Sequence, residues 1–391
     1  MRSLLISRMY FPPYKGGISH LVGEVAHALG PDRVSCLTGV PGAGRRDDFG
    51  LSVYRSGMAF SENPMAQAFG LSHTLGRIMI NERPRALQLA TAYDGYLGLW
   101  LKRWKKLPFV VYAHGNEILD AVRMRWPKPK AALLQADHII ANSRFTASLV
   151  EQAGVNPDRI SIVHPGCDLQ RFQPRPANLE LKQKLVGSPK KRVILTVGGL
   201  VARKGHDMVL RALSKLVQKS PDITYLIVGD GPHHSQLVSL VKELGLHQHV
   251  VFTGKTDDEL LPEIYALSDV FVMPSRQNLE ACDVEGFGLV YLEASACGRP
   301  VVAGRSGGTS DAVLDGETGL LVDPNNPLEV ANALERLLTN KDLAHALGRQ
   351  GRSRLIGTFE WPQIANRVQE IIENVVRKGD ERPLACAAVA G

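Results

Sequence analysis

Twice along this chain a short apolar stretch runs into a turn and then into a helical pattern, and the second series begins where the first has ended. In the first half the apolar stretches are residues 3–7, 34–38, 87–89, 109–112 and 160–163, with helices expected near 66–81 and 93–104. From Arg192 the rhythm restarts, with stretches at 193–197, 223–228, 250–253, 270–274 and 300–303 and helices over 328–339 and 343–354. Strands that stay apolar without alternating are buried on both faces, and a helix after each strand supplies the cover of a parallel, doubly wound sheet. A chain of 391 residues also exceeds what one core usually organises. The expected fold class is therefore α/β, with two doubly wound, Rossmann-like domains. Their expected spans are 1–170 and 191–357, with a polar linker at 171–190 and a tail at 378–391 expected to be disordered.

The chemistry concentrates between Asp283 and Val302. Glu285 is followed by Gly286-Phe287-Gly288, then by Leu289, Val290 and Leu292 at helical spacing, and by Glu293 about one helical turn inside. Glycines let a backbone approach a ligand closely, and the first turn of a helix presents free N–H groups and the positive end of its dipole. Phosphate is the natural guest. A second reading makes Glu285 a helix cap and Glu293 a solvated residue. Similar turns follow other strands: Gly16-Gly17 before an amphipathic stretch, Gly198-Gly199 leading to Arg203-Lys204, Gly229, and Gly254-Lys255. His114 stands at the carboxyl end of the 109–112 strand, the edge at which open α/β sheets bind ligands.

Hydrophobic residues at 44% and charged residues at 22% fit a soluble globular chain, and no run of eighteen apolar residues exists to span a membrane. The start, MRSLLISRMYFPPY, has too short an apolar core for a signal peptide. The cysteines, at 36, 167, 282, 297 and 386, are odd in number and scattered, which points to a reducing cytosol and to no metal site. Residues 1–168 hold 20 Lys+Arg against 13 Asp+Glu, which is the whole of the net charge of +7. Any anionic partner should therefore meet the first half. Two basic, aromatic-interleaved clusters lie there, Lys102–Lys106 and Arg123–Lys130. With no nucleic-acid-binding motif present, they read as solvated helix ends or as a peripheral patch for an anionic membrane surface on the cytoplasmic side.

Glu285 and Glu293, with the glycines between them, resemble the Glu-x7-Glu signature of retaining, nucleotide-sugar-dependent glycosyltransferases of family four, most closely the branch that builds phosphatidylinositol mannosides. The resemblance covers about residues 3–376 and implies the GT-B arrangement, two facing domains with a last helix (358–377) crossing back to the first. It implies a donor site on the second domain formed by Lys204, Gly229, Gly254, Lys255, Glu285, Gly286, Phe287, Gly288, Leu289, Val290 and Glu293, with Gly16 and Gly17 closing from the first; Arg203, next to Lys204, joins that donor site only if its loop reroutes. It implies catalytic contributions from His114, Glu285 and Lys204, no metal, and no cofactor beyond the donor. The expected donor is GDP-mannose and the expected acceptor a lipid-linked or glycolipid sugar. A UDP-sugar donor with a soluble acceptor, a UDP-sugar 2-epimerase and a sugar-nucleotide-binding scaffold are the alternatives. The chain departs from the family at Gly199, where an arginine normally joins Lys204 on the diphosphate.

Overall fold

The computed structural model describes all residues except 14–15, 42–49, 124–126 and 382–391. Part of the second basic cluster (124–126), Cys386 and most of the expected tail therefore lie outside the described residues. The chain divides into two compact units, the first comprising Met1–Pro165 with the last helix, the second Gly166–Glu360.

The first unit is built on seven parallel strands: β1 (Ser3–Ser7), β2 (Val34–Thr38), β3 (Ser52–Arg55), β4 (Ala86–Leu89), β5 (Phe109–Ala113), β6 (His138–Ala141) and β7 (Ile160–Ile162). Their order is β3-β2-β1-β4-β5-β6-β7. The chain thus leaves β1 in one direction, then returns to its other side at β4, and the two loops part at that switch point. Helices α1 (Gly17–Leu29), α2 (Pro64–Asn81), α3 (Gly95–Lys105), α4 (Asn116–Val122), α5 (Pro127–Gln135) and α6 (Arg144–Gln152) make the connections. Ser143 caps α6, its Oγ accepting the Thr146 N–H at 3.1 Å.

The second unit repeats the plan with β8 (Arg192–Val197), β9 (Ile223–Val228), β10 (Val250–Gly254), β11 (Val270–Met273), β12 (Val301–Gly304) and β13 (Leu320–Val322), ordered β10-β9-β8-β11-β12-β13. All its strand pairs are parallel, and its switch point lies between β8 and β11. Its helices are α7 (Leu179–Val186), α8 (His206–Lys219), α9 (His234–Glu243), α10 (Leu261–Leu267), α11 (Leu289–Ala296), α12 (Thr309–Ala312), α13 (Pro327–Thr339) and α14 (Lys341–Leu355). Residues 171–190 belong to this unit and carry α7.

The last helix, α15 (Trp361–Asp380), sits on the first unit. Its Trp361, Ile364, Val368, Ile372 and Val375 share one core with Leu21, Val22 and Val25 of α1. Five such side chains at about 1.5–3 kcal/mol each make this packing worth on the order of 10 kcal/mol before the entropy of ordering is subtracted.

Candidate active site

The site of the second unit forms where the β8 and β11 loops part. After β8, the chain passes through Gly198 and Gly199 into a single 3₁₀ turn, Ala202–Lys204, and α8 starts after Gly205. Gly205 has φ +73°, and a Cβ there would lie 2.3 Å from the Pro274 carbonyl oxygen, so the β8 and β11 loops touch backbone to backbone. The short turn places consecutive side chains, Arg203 and Lys204, on one acceptor.

That acceptor is Glu285, which is 8% exposed. One of its oxygens, Oε2, accepts from Lys204 Nζ at 2.6 Å, from Arg203 Nη1 at 2.5 Å and from the Ser275 hydroxyl at 3.3 Å. Arg203 Nε donates in turn to Asp283 Oδ1 at 2.8 Å. Burial works to raise the Glu285 carboxyl, but Lys204 and Arg203 outweigh it and hold it below the usual carboxylate range. Glu285 is therefore ionised at neutral pH. Its backbone is fixed as well: Gly308 N–H donates to the Glu285 carbonyl at 2.9 Å, and Gly307 (φ +55°) approaches so closely that a Cβ would lie 2.4 Å from that oxygen.

Gly288, at φ +97°, caps α11 without a side chain, and Leu289 and Val290 form the first turn. Gly286 is buried between Glu285 and Phe287. The Phe287 side chain belongs to the apolar core, with its ring centroid 6.4 Å from that of Phe359, so it presents only backbone toward the loop's open side. Glu293 is half-buried on α11, where its Oε2 accepts from the Tyr265 hydroxyl at 2.7 Å.

The ends of β8, β9 and β10 are joined by backbone. Gly198 N–H donates to Val228 O and Gly229 N–H to Gly254 O, both at 2.9 Å. Gly229 has φ +141°, and a Cβ there would stand 2.1 Å from the Gly198 carbonyl oxygen. Gly254 (φ +69°) faces open space, and Lys255 is exposed beside it. Gly199 is exposed too, with only the Asp230 carbonyl oxygen, at 3.7 Å, near the position of a Cβ.

His206, buried at the start of α8, holds this loop from below. Its Nδ1 lies 3.1 Å from the Tyr225 hydroxyl and its Nε2 3.3 Å from the Gly199 carbonyl oxygen. A carbonyl can only accept, so Nε2 carries the proton and the Tyr225 hydroxyl donates to Nδ1. Burial lowers the His206 pKa to about 4 from 6.5. The folded chain thus binds this proton less readily than the unfolded chain. The stabilisation it brings is present above about pH 6.5 and is lost as the pH falls toward 4. At about 1.4 kcal/mol per unit, the loss reaches at most about 3.5 kcal/mol. His206→Gln is expected to flatten the decline of unfolding free energy between neutral and mildly acidic buffer, measured by urea titration. An unchanged slope would remove His206 as its source.

In the first unit, His114 is 8% exposed at the end of β5. Its Nε2 lies 2.8 Å from the Ala90 carbonyl oxygen, which again assigns the proton to Nε2. Its backbone N–H donates to Glu117 Oε1 at 2.5 Å. Gly16 caps α1 with no side-chain bond, and both Gly16 and Gly17 are exposed. The structure therefore brings Arg203, Lys204, Glu285 and the α11 turn together within one unit, while His114, Gly16 and Gly17 belong to the other. Sequence reading missed Ser275, Asp283 and His206. Each acts through a partner that only the folded loops bring near, and no local spacing signals it.

The chain matches the family described as Glycosyl transferases group 1 over residues 178–354 and the family described as Glycosyltransferase Family 4 over residues 15–171. It is 33% identical to the GDP-mannose-dependent alpha-(1-6)-phosphatidylinositol monomannoside mannosyltransferase of Mycolicibacterium smegmatis, across 93% of this chain and 96% of that protein. It is 34% identical to the D-inositol 3-phosphate glycosyltransferase of Rhodococcus jostii, across 71% of this chain and 63% of that protein. Among solved structures, HepE of Anabaena in complex with UDP is similar with a TM-score of 0.81, at 21% identity, over 96% of this chain and 100% of that one. The two doubly wound sheets and this likeness of fold give the chain the GT-B architecture. With a relative of this identity aligned over nearly its whole length, the chain belongs to the glycosyltransferases of group 1 and family 4.

Proposed function

We propose that this glycosyltransferase moves mannose from GDP-mannose, with retention of anomeric configuration, to a phosphatidylinositol-type glycolipid. The observation that carries the reading is the cluster of Lys204, Arg203 and Glu285 beside the Gly288-capped turn of α11, in a chain whose near-full-length relative is named for that donor and that acceptor. Lys204 and Arg203 take the diphosphate and the α11 turn its remaining charge, which supplies the leaving group's stabilisation without a metal. Glu285 takes sugar hydroxyls and Glu293 the ribose. The acceptor oxygen bonds to the anomeric carbon as the carbon–phosphate oxygen bond breaks. The acceptor's proton passes to the departing phosphate on the same face. His114, Gly16 and Gly17 serve the sugar and donor phosphate from the first unit. The test is transfer of labelled mannose from GDP-mannose to phosphatidylinositol monomannoside in micelles, in the presence of chelator. Product with the α configuration is expected, and no product with any lipid acceptor would refute the reading.

A second reading rests on the inositol-phosphate relative: a soluble, phosphorylated acceptor, with a UDP-sugar as the other donor to be tried. Gly199 gives a further handle. Its Cβ direction is open, so Gly199→Arg adds the cation that the family motif carries. A gain in kcat/KM of about tenfold, worth about 1.4 kcal/mol, is expected. No gain would contradict the assignment of the diphosphate to this loop.

No helix among the described residues is long and apolar enough to cross a membrane. For the membrane surface we propose a patch on α3, where Trp100 and Trp104 stack at 5.1 Å and are 43% and 56% exposed. Lys105 Nζ lies 4.0 Å from the Trp104 ring centroid. Lys102 does not contribute, since it donates to Asp137 Oδ2 and to Gln135 O, both at 2.8 Å. Flotation with anionic vesicles, lost on Trp104→Ala and Lys105→Ala together, is the expected result.

A further inference from the structure

In the first unit, strands β6 and β7 begin beside the second half of α15, and a cavity of about 260 Å³ lies there. This is the amino edge of the sheet: His138 opens β6 opposite Val110, whereas His114 follows the other end of β5. Asp137 and His138 line the cavity beside β6, Arg159 and Ser161 beside β7, and Asn374 and Lys378 on α15. Ile371 and Val375 add an apolar wall, and the exposed Asp158 completes the lining. At about 30 Å³ per water, the volume is that of about nine waters, which suits a guest smaller than a drug-sized ligand.

Unused donors converge on this space. Lys378 makes no hydrogen bond or ion pair among the described residues. The Asn374 amide oxygen accepts from the Arg377 guanidinium, which leaves its amide hydrogens over. Arg159 Nη1 donates to Leu134 O and Ala136 O, both at 3.0 Å, and its remaining donors have no partner among the described residues. His138 Nε2 lies 2.8 Å from the Ser161 hydroxyl. That pair holds two hydrogens, one on the imidazole and one on the hydroxyl, and their mutual bond uses one. Either tautomer therefore leaves a donor, Ser161 O–H or His138 Nδ1–H. Burial, with Lys378 and Arg159 close by, lowers the His138 pKa to about 4 from 6.5, so the ring is neutral at neutral pH. Against these donors stand two carboxylates. Asp137 Oδ2 already accepts from Lys102 Nζ at 2.8 Å and from the Phe109 N–H at 3.0 Å, while Asp158 is exposed and screened by water. Lys102, Arg159 and Lys378 against Asp137 and Asp158 leave one positive charge, which together with the spare donors suits a phosphate group.

We propose that this cavity binds a small phosphate monoester as an effector, with Lys378, Arg159 and the His138–Ser161 pair donating to its phosphate and Asn374 and Asp158 meeting its hydroxyls. The ligand ties the end of the last helix to the starts of β6 and β7. The cavity contains none of the residues assigned to donor binding or transfer, so the proposal stands apart from that chemistry.

The experiment is isothermal titration of the full chain, without nucleotide, using glycerol 3-phosphate, inorganic phosphate and glycerol. Glycerol 3-phosphate is expected to bind more tightly than inorganic phosphate, and glycerol not at all. Lys378 is exposed on α15, so Lys378→Ala should fold normally and weaken both phosphates at least tenfold, while Lys378→Arg restores them. Lys204→Ala should leave their affinity unchanged, which separates this cavity from the donor site. A second readout is the imidazole titration of His138 by NMR: the bound dianion should raise it in the wild type and leave it unmoved in Lys378→Ala. No binding of either phosphate to the wild type, wild-type affinity in Lys378→Ala, or a His138 titration that the ligand does not move would overturn the proposal. Loss of binding in Lys204→Ala would overturn it too, by placing the phosphate in the donor site. Inorganic phosphate binding as tightly as the monoester would overturn the monoester as the ligand.

Discussion

Glu285→Gln is expected to lower the transfer rate by about 10²–10³-fold, the usual effect of removing one charged group aimed at a reacting centre. The same substitution is expected to leave GDP binding intact or to tighten it. The cations proposed for the diphosphate are bonded to Glu285, at 2.6 Å and 2.5 Å. A diphosphate must therefore compete with this carboxylate for Lys204 and Arg203, and a neutral amide competes less well. A gain of up to about tenfold in GDP affinity, about 1.4 kcal/mol, is the expected size. Gln is the better probe than Ala. It keeps an oxygen for Lys204 and Ser275, whereas Ala would take away the carboxylate that Lys204 bonds and leave Arg203 with Asp283 alone, at up to about 3–5 kcal/mol for a broken buried pair. Rate constants from single turnover, with GDP titrations on the same preparation, check both halves. Unimpaired transfer in Glu285→Gln would remove the carboxylate from the chemistry.

Gly229→Ala is expected to destabilise the second unit by about 3 kcal/mol or more, among the largest effects of a single methyl group. The new Cβ would stand 2.1 Å from the Gly198 carbonyl oxygen, a backbone atom held by the bond from Gly198 N–H to Val228 O. No rotamer change relieves such a clash. The loop that delivers Arg203 and Lys204 would have to move, so donor binding should weaken along with stability. Gly254→Ala is the control. It shares a positive φ, +69°, but meets nothing within 4 Å, so it should cost only about 1–2 kcal/mol. Urea midpoints of the two variants decide the matter. Equal losses would mean that backbone conformation alone governs these turns.

Much of this is legible from the residues alone. The strand–turn–helix rhythm announces two doubly wound units because buried parallel strands leave an unbroken apolar signal, as in β1, β2 and β5, where every residue is buried. Gly288 is legible because a helix opening on a glycine has a local signature. The edge strand β3 is not, since its four residues are only half-buried. Helix α5 hides inside a basic cluster with prolines at 127 and 129, residues that a first helical turn tolerates. Read linearly, Arg203 reaches the site only if the loop reroutes, and the 3₁₀ turn Ala202–Lys204 supplies that route to Glu285. Lys102 has the pattern of a surface cation, yet its partner Asp137 lies 35 positions away. Local periodicity carries the elements; the pairing of charges depends on which loops the sheet order brings together.

The grip of the second unit on a guanosine diphosphate sugar, through Lys204 and the α11 turn, is central to the proposed function. It is tested most directly by isothermal titration of the purified protein with GDP, UDP, GDP-mannose and UDP-glucose in the presence of chelator. Selective binding of GDP and GDP-mannose is expected, weakened at least tenfold by Lys204→Ala. Tighter binding of the uridine ligands, or binding that Lys204→Ala leaves untouched, would contradict it.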